Sequence, residues 1–240
     1  MKKVNEIFKE IEDIINSDIS PARIAANKKF FKEEIKSAGW ELPKVRSLGK
    51  EYAKRLQKEQ YEFEQVLVLA EKLFKTEKIE QATLGLEILT HYYKSYTPDL
   101  FPTFAKWTNY LTNWAITDDF AMHHIAKLID LDSSLFKELL KWTKSDNRWI
   151  RRSALVSLKP EAAKGNKLKE VFTICNNLMK DDDEMVQKAI GWLLKEASKK
   201  HPQETAVFLL EWKPKISRKV LYAACQKMPA GLKQKILETS

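Results

Sequence analysis

The sequence predicts an all-α protein, built as a solenoid of helical repeats. The 240 residues include only 6 Gly and 8 Pro, too few turn residues for a β-sandwich, a barrel or a doubly wound sheet. Apolar residues recur at helical spacing along almost the whole chain, and one polar-then-apolar pattern returns every 31 to 38 residues. The Gly-x-Gly-x-x-Gly, P-loop and Gly-x-Ser-x-Gly motifs are absent, which excludes the common nucleotide-binding and hydrolase scaffolds.

The helical spacing predicts fourteen helices, separated by short breaks. Ser20, Asp132 and Ser217 stand where a helix would begin, and each side chain can cap the first turn. The clearest loop is the segment 164–167, and no change in composition marks a boundary, so we expect a single domain over residues 1–240. The predicted helices are Val4–Ile15, Ser20–Ile35, Pro43–Leu56, Tyr61–Lys75, Ile79–Tyr93, Pro98–Leu111, Trp114–Ile129, Ser133–Lys144, Trp149–Leu158, Lys167–Met179, Met185–Lys199, Pro202–Trp212, Arg218–Gln226 and Gly231–Leu237.

Two segments carry the repeat most clearly, SDNRWIRRSALVSLK and DDDEMVQKAIGWLLK. They superpose with Arg152 on Lys188, and each has a capping residue, an apolar residue, a long polar pair and then small and apolar residues. The same pattern, called the repeat frame below, occurs at four further places along the chain. The equivalent positions are Arg46, Gln81, Asp119, Arg152, Lys188 and Lys219. A spacing near 35 residues with two helices per unit is typical of an α-solenoid.

Equivalent positions in stacked repeats share a face, so we expect these six side chains to form one polar row. Trp149 and Trp192 lie one helical turn from Arg152 and Lys188. Cations beside aromatic rings suit a nucleic acid, because the cations meet phosphates and the rings meet sugars or bases. The alternative is that both tryptophans pack between helices.

The charge is unevenly distributed along the chain. Residues 1–120 carry 19 basic and 19 acidic side chains, whereas residues 121–240 carry 23 and 14, which accounts for the whole net charge of +9. A basic half joined to a neutral half suggests one face that binds a polyanion. Charge placed on helix exteriors for solubility is the alternative.

Asp119 is the one carboxylate in the predicted row. It would weaken the binding of a polyanion unless it has a task, such as stabilising a cationic sugar while a glycosidic bond breaks, or orienting the attacking water. The alternative is a cap, or an ion-pair partner of Arg152.

No metal or cofactor site is expected. His123 and His124 are adjacent and point to different sides of a helix, and the acidic run at 181–184 is typical of a helix N-terminus. Cys175 and Cys225 stand far apart and are expected to be buried apolar residues of a protein in a reducing compartment.

The sequence indicates a cytoplasmic protein. The first residues are interrupted by charges and form no signal-peptide core, and no stretch approaches the roughly 20 apolar residues of a membrane span.

The segment KWTKSDNRWIRRSAL, followed by VQKAIGWLLKE, resembles the HEAT-repeat DNA glycosylases of the DNA alkylation repair (AlkD-like) family. GWELPKVRSLGKE and EQATLGLEIL resemble earlier repeats of that family, so the resemblance extends from about Gly39 to Lys219. It implies a right-handed solenoid of HEAT-like repeats. It also implies the removal of positively charged N3- and N7-alkylated purines from duplex DNA, without a pocket for the base.

The resemblance also implies roles for particular residues. Asp119 matches the catalytic aspartate of the family, Arg152 matches its phosphate-binding arginine, and Trp192 matches an aromatic residue on the backbone beside the lesion. Trp114 matches the first tryptophan of the family's W-W-D-x-x-D stretch, whose second tryptophan is replaced here by Ala115.

Three functional hypotheses follow. The first is a monomeric, monofunctional DNA glycosylase in which Asp119 is catalytic. DNA would be bound by Arg152, Trp192, Trp114, Trp149, Lys188, Arg46, Gln81 and Lys219. The second is a non-catalytic module that binds branched or distorted DNA, which Ala115 favours. The third is a protein-interaction solenoid, which would show no salt-dependent affinity for DNA.

Overall fold

The structure, a computed structural model, describes residues 2–238, and every regular element in that range is a helix. This confirms the all-α prediction. The described residues group into two compact units that meet in sequence at Phe120 and Ala121, and each unit is described separately. The expectation of a single domain over residues 1–240 stays a prediction.

The first unit contains seven α-helices, and the second helices of successive repeats lie side by side in it. α3 packs against α5, and α5 packs against α7. A second layer consists of α4 with α1 and α6 packed against it. The helices are α1 (Lys2–Asn16), α2 (Pro21–Lys28), α3 (Leu42–Lys58), α4 (Phe63–Lys75), α5 (Ile79–Thr90), α6 (Phe101–Trp107) and α7 (Trp114–Phe120).

The core of the first unit is aromatic. Four buried rings pack with centroids between 5.0 and 6.3 Å apart, and together they join α4, α6 and α7. These residues are Phe74, Phe104, Trp107 and Phe120. The core therefore fixes the end of α7, which carries Asp119.

The second unit repeats the same arrangement. α10 packs against α13, and α13 packs against α15, while α9, α12, α14 and α16 supply the other layer. The helices are α8 (Ala126–Leu131), α9 (Phe136–Trp142), α10 (Arg148–Val156), α11 (Lys159–Lys164), α12 (Leu168–Leu178), α13 (Glu184–Ser198), α14 (Pro202–Trp212), α15 (Arg218–Ala224) and α16 (Ala230–Glu238).

Gly191 sets how closely the last two repeats approach. A Cβ atom built on Gly191 would lie 2.7 Å from the Cβ of Ala223, so a side chain at this position would push α15 away from α13. The six positions of the predicted repeat frame lie in α3, α5, α7, α10, α13 and α15, which are the helices that stack on one another within each unit. The repeat prediction is confirmed.

Helix caps account for the acidic run at 181–184. The Asp183 carboxylate accepts hydrogen bonds from the backbone N–H groups of Met185 and Val186, at 2.8 and 3.3 Å. Asp181 instead pairs with Arg151, at 2.6 Å. The interpretation of this run as a helix N-terminus is therefore confirmed. The caps predicted at Asp132 and Ser217 are present, whereas the cap predicted at Ser20 is wrong, because its side chain makes no capping bond to α2.

The predicted helix Ser20–Ile35 is wrong in its second half. α2 ends at Lys28, and residues 36–40 are instead held against the start of α5, where the backbone N–H of Ile79 donates to the carbonyl of Lys36 at 2.9 Å. A long-range contact of this kind overrides local helical spacing.

Two further elements differ from the prediction. The helix expected over Trp114–Ile129 changes to a π-helical turn at Ala121–Ile125. The short helix α11 was not predicted, because its six residues are too few to show a helical period. It ends at Gly165, whose φ of 89° is left-handed, inside the predicted loop 164–167.

Within residues 2–238, the structure contains no helix that combines the length and the apolar character of a membrane span.

Candidate nucleic-acid interface

Asp119 lies in an ion-pair cluster within the first unit. One guanidinium nitrogen of Arg46 donates to Asp119 Oδ1 at 2.8 Å, and the other donates to Glu87 Oε2 at 2.6 Å. The side chains of Asp119 and Glu87 are 10% and 15% exposed, and that of Arg46 is 33% exposed. Arg46 therefore joins two nearly buried carboxylates from two neighbouring helices.

The stacking of repeats brings the cluster together. Arg46 lies on α3, Glu87 on α5 and Asp119 on α7, which are consecutive helices of one layer. Gly49, one turn after Arg46, permits the close approach, because a Cβ there would lie 2.8 Å from the Cβ and Cγ of Glu87. His91 extends the cluster, with its Nε2 atom 3.4 Å from Glu87 Oε1.

Glu87 was not identified from the sequence. A signal for it exists, since it is an acidic residue in the otherwise apolar stretch LGLEIL. An isolated carboxylate in such a stretch indicates a buried partner of opposite charge. The partner, Arg46, was identified only as a member of the row.

The charges in the cluster act on one another. Burial lowers the pKa of Arg46, but Asp119 and Glu87 more than offset this effect, so the pKa of the guanidinium lies above its ordinary value. Burial, with a contribution from the Asp119 and Glu87 carboxylates, raises the pKa of Tyr93 to about 12. Tyr93 is therefore a neutral hydroxyl-bearing ring in the field of the cluster at physiological pH.

The start of α7 is fixed by its own cap. Asn113 Oδ1 accepts from the backbone N–H of Ile116 at 3.1 Å, and the Thr117 hydroxyl donates to the Asn113 carbonyl at 2.7 Å. Trp114 stacks on Phe31, with ring centroids 5.1 Å apart. The side chain of Trp114 is thus held against the segment that follows α2.

Gln81 requires a correction. It was predicted as a DNA contact, but it is completely buried. α5 is the middle helix of the unit and packs against α3, α4 and α7, so the Gln81 side chain lies inside the packing and is shielded from solvent. The exposed part of the row is therefore interrupted at this repeat.

Trp149 requires a similar correction. It was predicted as a DNA contact, but it is 5% exposed, with the Arg148 guanidinium 4.5 Å from its ring. It belongs to the packing of α10, which is the alternative considered from the sequence. Arg152 on the same helix is also buried, and its guanidinium donates to the Met185 carbonyl at 2.5 Å. Arg152 therefore braces the start of α13.

Trp192 combines with a lysine that the sequence did not indicate. The ammonium of Lys159, at the first position of α11, lies 4.1 Å from the Trp192 ring centroid. Lys188, one turn earlier on α13, is exposed and pairs with Glu184 at 3.1 Å. Lys219 on α15 is exposed as well. The sequence missed Lys159 because it lies outside the repeat frame.

The second unit carries the positive charge of the chain. Its residues, 121–240, are those that hold 23 basic and 14 acidic side chains, whereas the first unit is neutral. The basic half predicted from the sequence thus coincides with a structural unit. Within this unit Lys188 and Lys219 are exposed and Trp192 is half-buried. Positive charge and an accessible ring face are the two features that suit a nucleic-acid backbone.

Within the described residues, His, Cys, Asp and Glu side chains form no group of three that could hold a metal ion. Cys175 and Cys225 are both free and buried, as expected. The histidines at 123 and 124 differ in exposure, the first exposed and the second buried, in agreement with their predicted opposite directions.

These observations define an all-α helical-repeat protein with a basic unit and a buried carboxylate cluster. A family model described as "DNA alkylation repair enzyme" matches residues 11–228, which is most of the chain. The chain belongs to this family, and the resemblance found in its sequence is confirmed. No curated protein matches the chain.

A solved structure shares the fold. It is described as "Predicted DNA alkylation repair enzyme from Enterococcus faecalis" and superposes with a TM-score of 0.76 at 16% sequence identity. The match covers 89% of this chain and 98% of that chain. At this identity the likeness establishes the helical-repeat fold.

Proposed function

We propose that this protein is a monofunctional DNA glycosylase that excises positively charged N3- and N7-alkylated purines from duplex DNA. The observation that carries the proposal is the fixed position of Asp119, a nearly buried carboxylate held by Arg46 in a member of the DNA alkylation repair family. The protein acts as a cytoplasmic monomer and needs no cofactor.

The chemistry suits a site without a strong acid. An alkylated purine already carries a positive charge, so the bond from its ring nitrogen to C1′ breaks as the base leaves neutral. The deoxyribose becomes an oxocarbenium ion, which the Asp119 carboxylate stabilises. Water adds its oxygen to C1′ and loses one proton, with Asp119 placed to orient it. Arg46 donates to one oxygen of the carboxylate and so restrains its rotation.

The basic unit supplies the affinity for DNA. Lys159, Lys188 and Lys219 neutralise phosphates, and the Trp192 ring lies along the sugar-phosphate backbone. Arg152 supports this surface from beneath, through its bond to the start of α13.

One observation favours the second candidate function, a non-catalytic module that recognises branched or distorted DNA. Ala115 stands where the family's pattern has a second tryptophan, so the sugar beside Asp119 is less enclosed. A stacked ring would stabilise the developing charge, and its absence lowers the rate expected of this site.

The decisive experiment measures release of N7-methylguanine from a methylated duplex. Asp119→Asn keeps the size of the side chain but removes its charge, and we expect excision to fall roughly 100-fold or more, with little change in DNA affinity. Asp99→Asn is the matched control, because it makes the same change at an exposed position of the same unit. Its activity should equal that of the parent.

Salt dependence distinguishes the remaining possibilities. Affinity for duplex DNA should fall by roughly 0.9 log unit per log unit of salt for each phosphate neutralised, and Lys219→Gln should reduce the slope by about that amount. Tight, salt-dependent binding without any release of methylated purine would select the binding module. A flat salt response would overturn both candidates in favour of a protein-interaction solenoid.

A further inference from the structure

An aromatic cleft lies in the first unit, apart from the Asp119 cluster. It has a volume of about 750 Å³ and is formed by α2, the segment between α2 and α3, and the starts of α5 and α7. The volume of the cleft is within the range of small-ligand sites. Four aromatic side chains line it: Phe30, Phe31, Trp40 and Trp114. Among the described residues that line the cleft, none belongs to the Arg46, Glu87 and Asp119 cluster.

Three of the four rings, those of Phe31, Trp40 and Trp114, are held in place before any ligand binds. Trp114 stacks on Phe31 at an interplanar angle of 16°, and its indole N–H donates to the Phe30 carbonyl at 3.2 Å. The indole N–H of Trp40 donates to the Asp18 carbonyl at 2.8 Å. Such preorganised rings lose little conformational entropy when a flat group stacks against them.

A buried carboxylate fixes the floor of the cleft. Glu80 is 2% exposed and accepts four hydrogen bonds from the segment before α3. Its donors are the Ser37 hydroxyl at 2.7 Å and the backbone N–H groups of Ala38, Gly39 and Trp40, at 2.9, 2.9 and 3.1 Å. The segment carries no helix of its own, so these bonds set its shape.

The surface of the cleft indicates the chemistry of its ligand. Phe30 is 63% exposed, and packing within the chain does not account for a ring so far in solvent. Residues 20–44 carry six basic and three acidic side chains, although the unit as a whole is neutral. Arg23 lines the cleft, and the Lys44 ammonium lies 3.7 Å from the Trp40 ring centroid. Arg23 pairs with Glu41 and Lys44 pairs with Asp18, so the rings rather than a net charge indicate the ligand. Their faces fit a flat group such as a nucleotide base.

The position of the cleft indicates where that nucleotide comes from. Trp114 and Asp119 lie five residues apart on α7, which is about 7.5 Å along a helix axis. One strand of duplex DNA advances roughly 3.4 Å per nucleotide, so this rise along α7 corresponds to about two nucleotides. We propose that the cleft receives an unpaired base of the DNA bound at Asp119 and stacks it on these rings. The inference rests on the proposed binding of DNA and adds a preference for strands with an unpaired base.

The test compares strands that differ only in their bases. The probes are single-stranded oligothymidine and an abasic strand of the same length, which has the same phosphates but no ring to stack. The parent should bind oligothymidine more tightly, by roughly fivefold to 150-fold for one stacked base. A duplex with one unpaired thymidine should likewise bind more tightly than the fully paired duplex.

Substitution of Phe30 separates stacking from apolar contact. Because the ring is exposed, its replacement leaves the core intact. Phe30→Leu keeps an apolar side chain but removes the ring face, and we expect it to lose most of the preference for bases. Phe30→Trp keeps a ring face and should retain the preference. Leu131→Ala, at an exposed apolar position in the other unit, is the control and should match the parent.

Two outcomes would overturn the inference. The first is equal affinity of the parent for oligothymidine and the abasic strand. The second is an unchanged preference for bases in Phe30→Leu, which would place the stacking elsewhere. Salt-dependent duplex affinity and methylpurine release are measured on the same proteins, so failure of the proposed function is recognised independently. Loss of the base preference in Phe30→Leu with excision unchanged is the result that supports the cleft.

Discussion

Replacement of Arg46 by methionine should destabilise the fold to an extent set by the burial of its two partners. Arg46→Met keeps a long unbranched stem but removes the charge that Asp119 and Glu87 share. Exposed ion pairs contribute about 0–1 kcal/mol, whereas removal of one partner from a buried pair costs about 3–5 kcal/mol. Arg46 is one-third exposed and its partners are nearly buried, so we expect about 2 kcal/mol. For a chain of this size that lowers Tm by about 4–8 °C.

The matched control lies on the same helix. Arg55 also bridges two carboxylates, with Glu10 at 2.7 Å and Glu59 at 2.8 Å, but its side chain is 41% exposed and each partner is 43% exposed. Arg55→Met should therefore lower Tm by less, about 4 °C at most. Thermal unfolding of both variants, followed by circular dichroism, makes the comparison. Equal decreases in Tm for the two variants would refute the assignment of the Arg46 cluster as a partly buried site.

A second substitution tests why Arg46→Met should lower the stability. If Arg46→Met leaves Glu87 as an uncompensated carboxylate, then Glu87→Gln added to Arg46→Met should recover part of the stability. Strict additivity of the two single changes would show that the two side chains do not interact.

Two further predictions concern groups whose pKa values the fold raises. Burial raises the pKa of Cys225 to about 11 and also raises that of Cys175. At neutral pH both thiols should therefore react slowly with a disulfide reagent until guanidinium unfolds the protein. Rapid labelling of the native protein would contradict this prediction. Tyr93 should ionise with a midpoint near 12, measured as the difference in tyrosinate absorbance between the parent and Tyr93→Phe. The folded state holds the proton of the Tyr93 hydroxyl more tightly than the unfolded state does. The stability that this proton contributes is therefore complete below pH 10 and is lost as the pH rises through about 12. A midpoint near 10 would refute the placement of Tyr93 beside the cluster.

The fold class and the repeat could be predicted because both are periodic. Arg46 and Asp119 came from one sequence frame, and they meet in the structure because α5 holds α3 and α7 in one layer and the long Arg46 side chain spans the interval. The same frame gave no indication that Gln81 is buried. Its helix is covered by neighbours on several sides, and that depends on the order of the repeats in space.

Other parts of the site depend on single long-range contacts that no period reveals. Glu87 reaches Arg46 only because Gly49 has no side chain, and Lys159 reaches Trp192 from a helix too short to show a period. The segment before α3 follows the hydrogen bonds of Glu80, about forty residues further on. Sequence spacing identifies the scaffold, whereas these contacts determine which side chains complete the site.

The bonds of Glu80 have a consequence for how such chains diverge. Four donors from one short segment converge on a single buried carboxylate, so loss of either side leaves polar groups in the interior without compensation. A lineage that shortens or replaces the segment 37–40 must therefore also change residue 80, and a lineage that changes residue 80 first loses the shape of the segment. The two positions are expected to be inherited together. In relatives where residue 80 is apolar, the aromatic residues before α3 should be missing or rearranged.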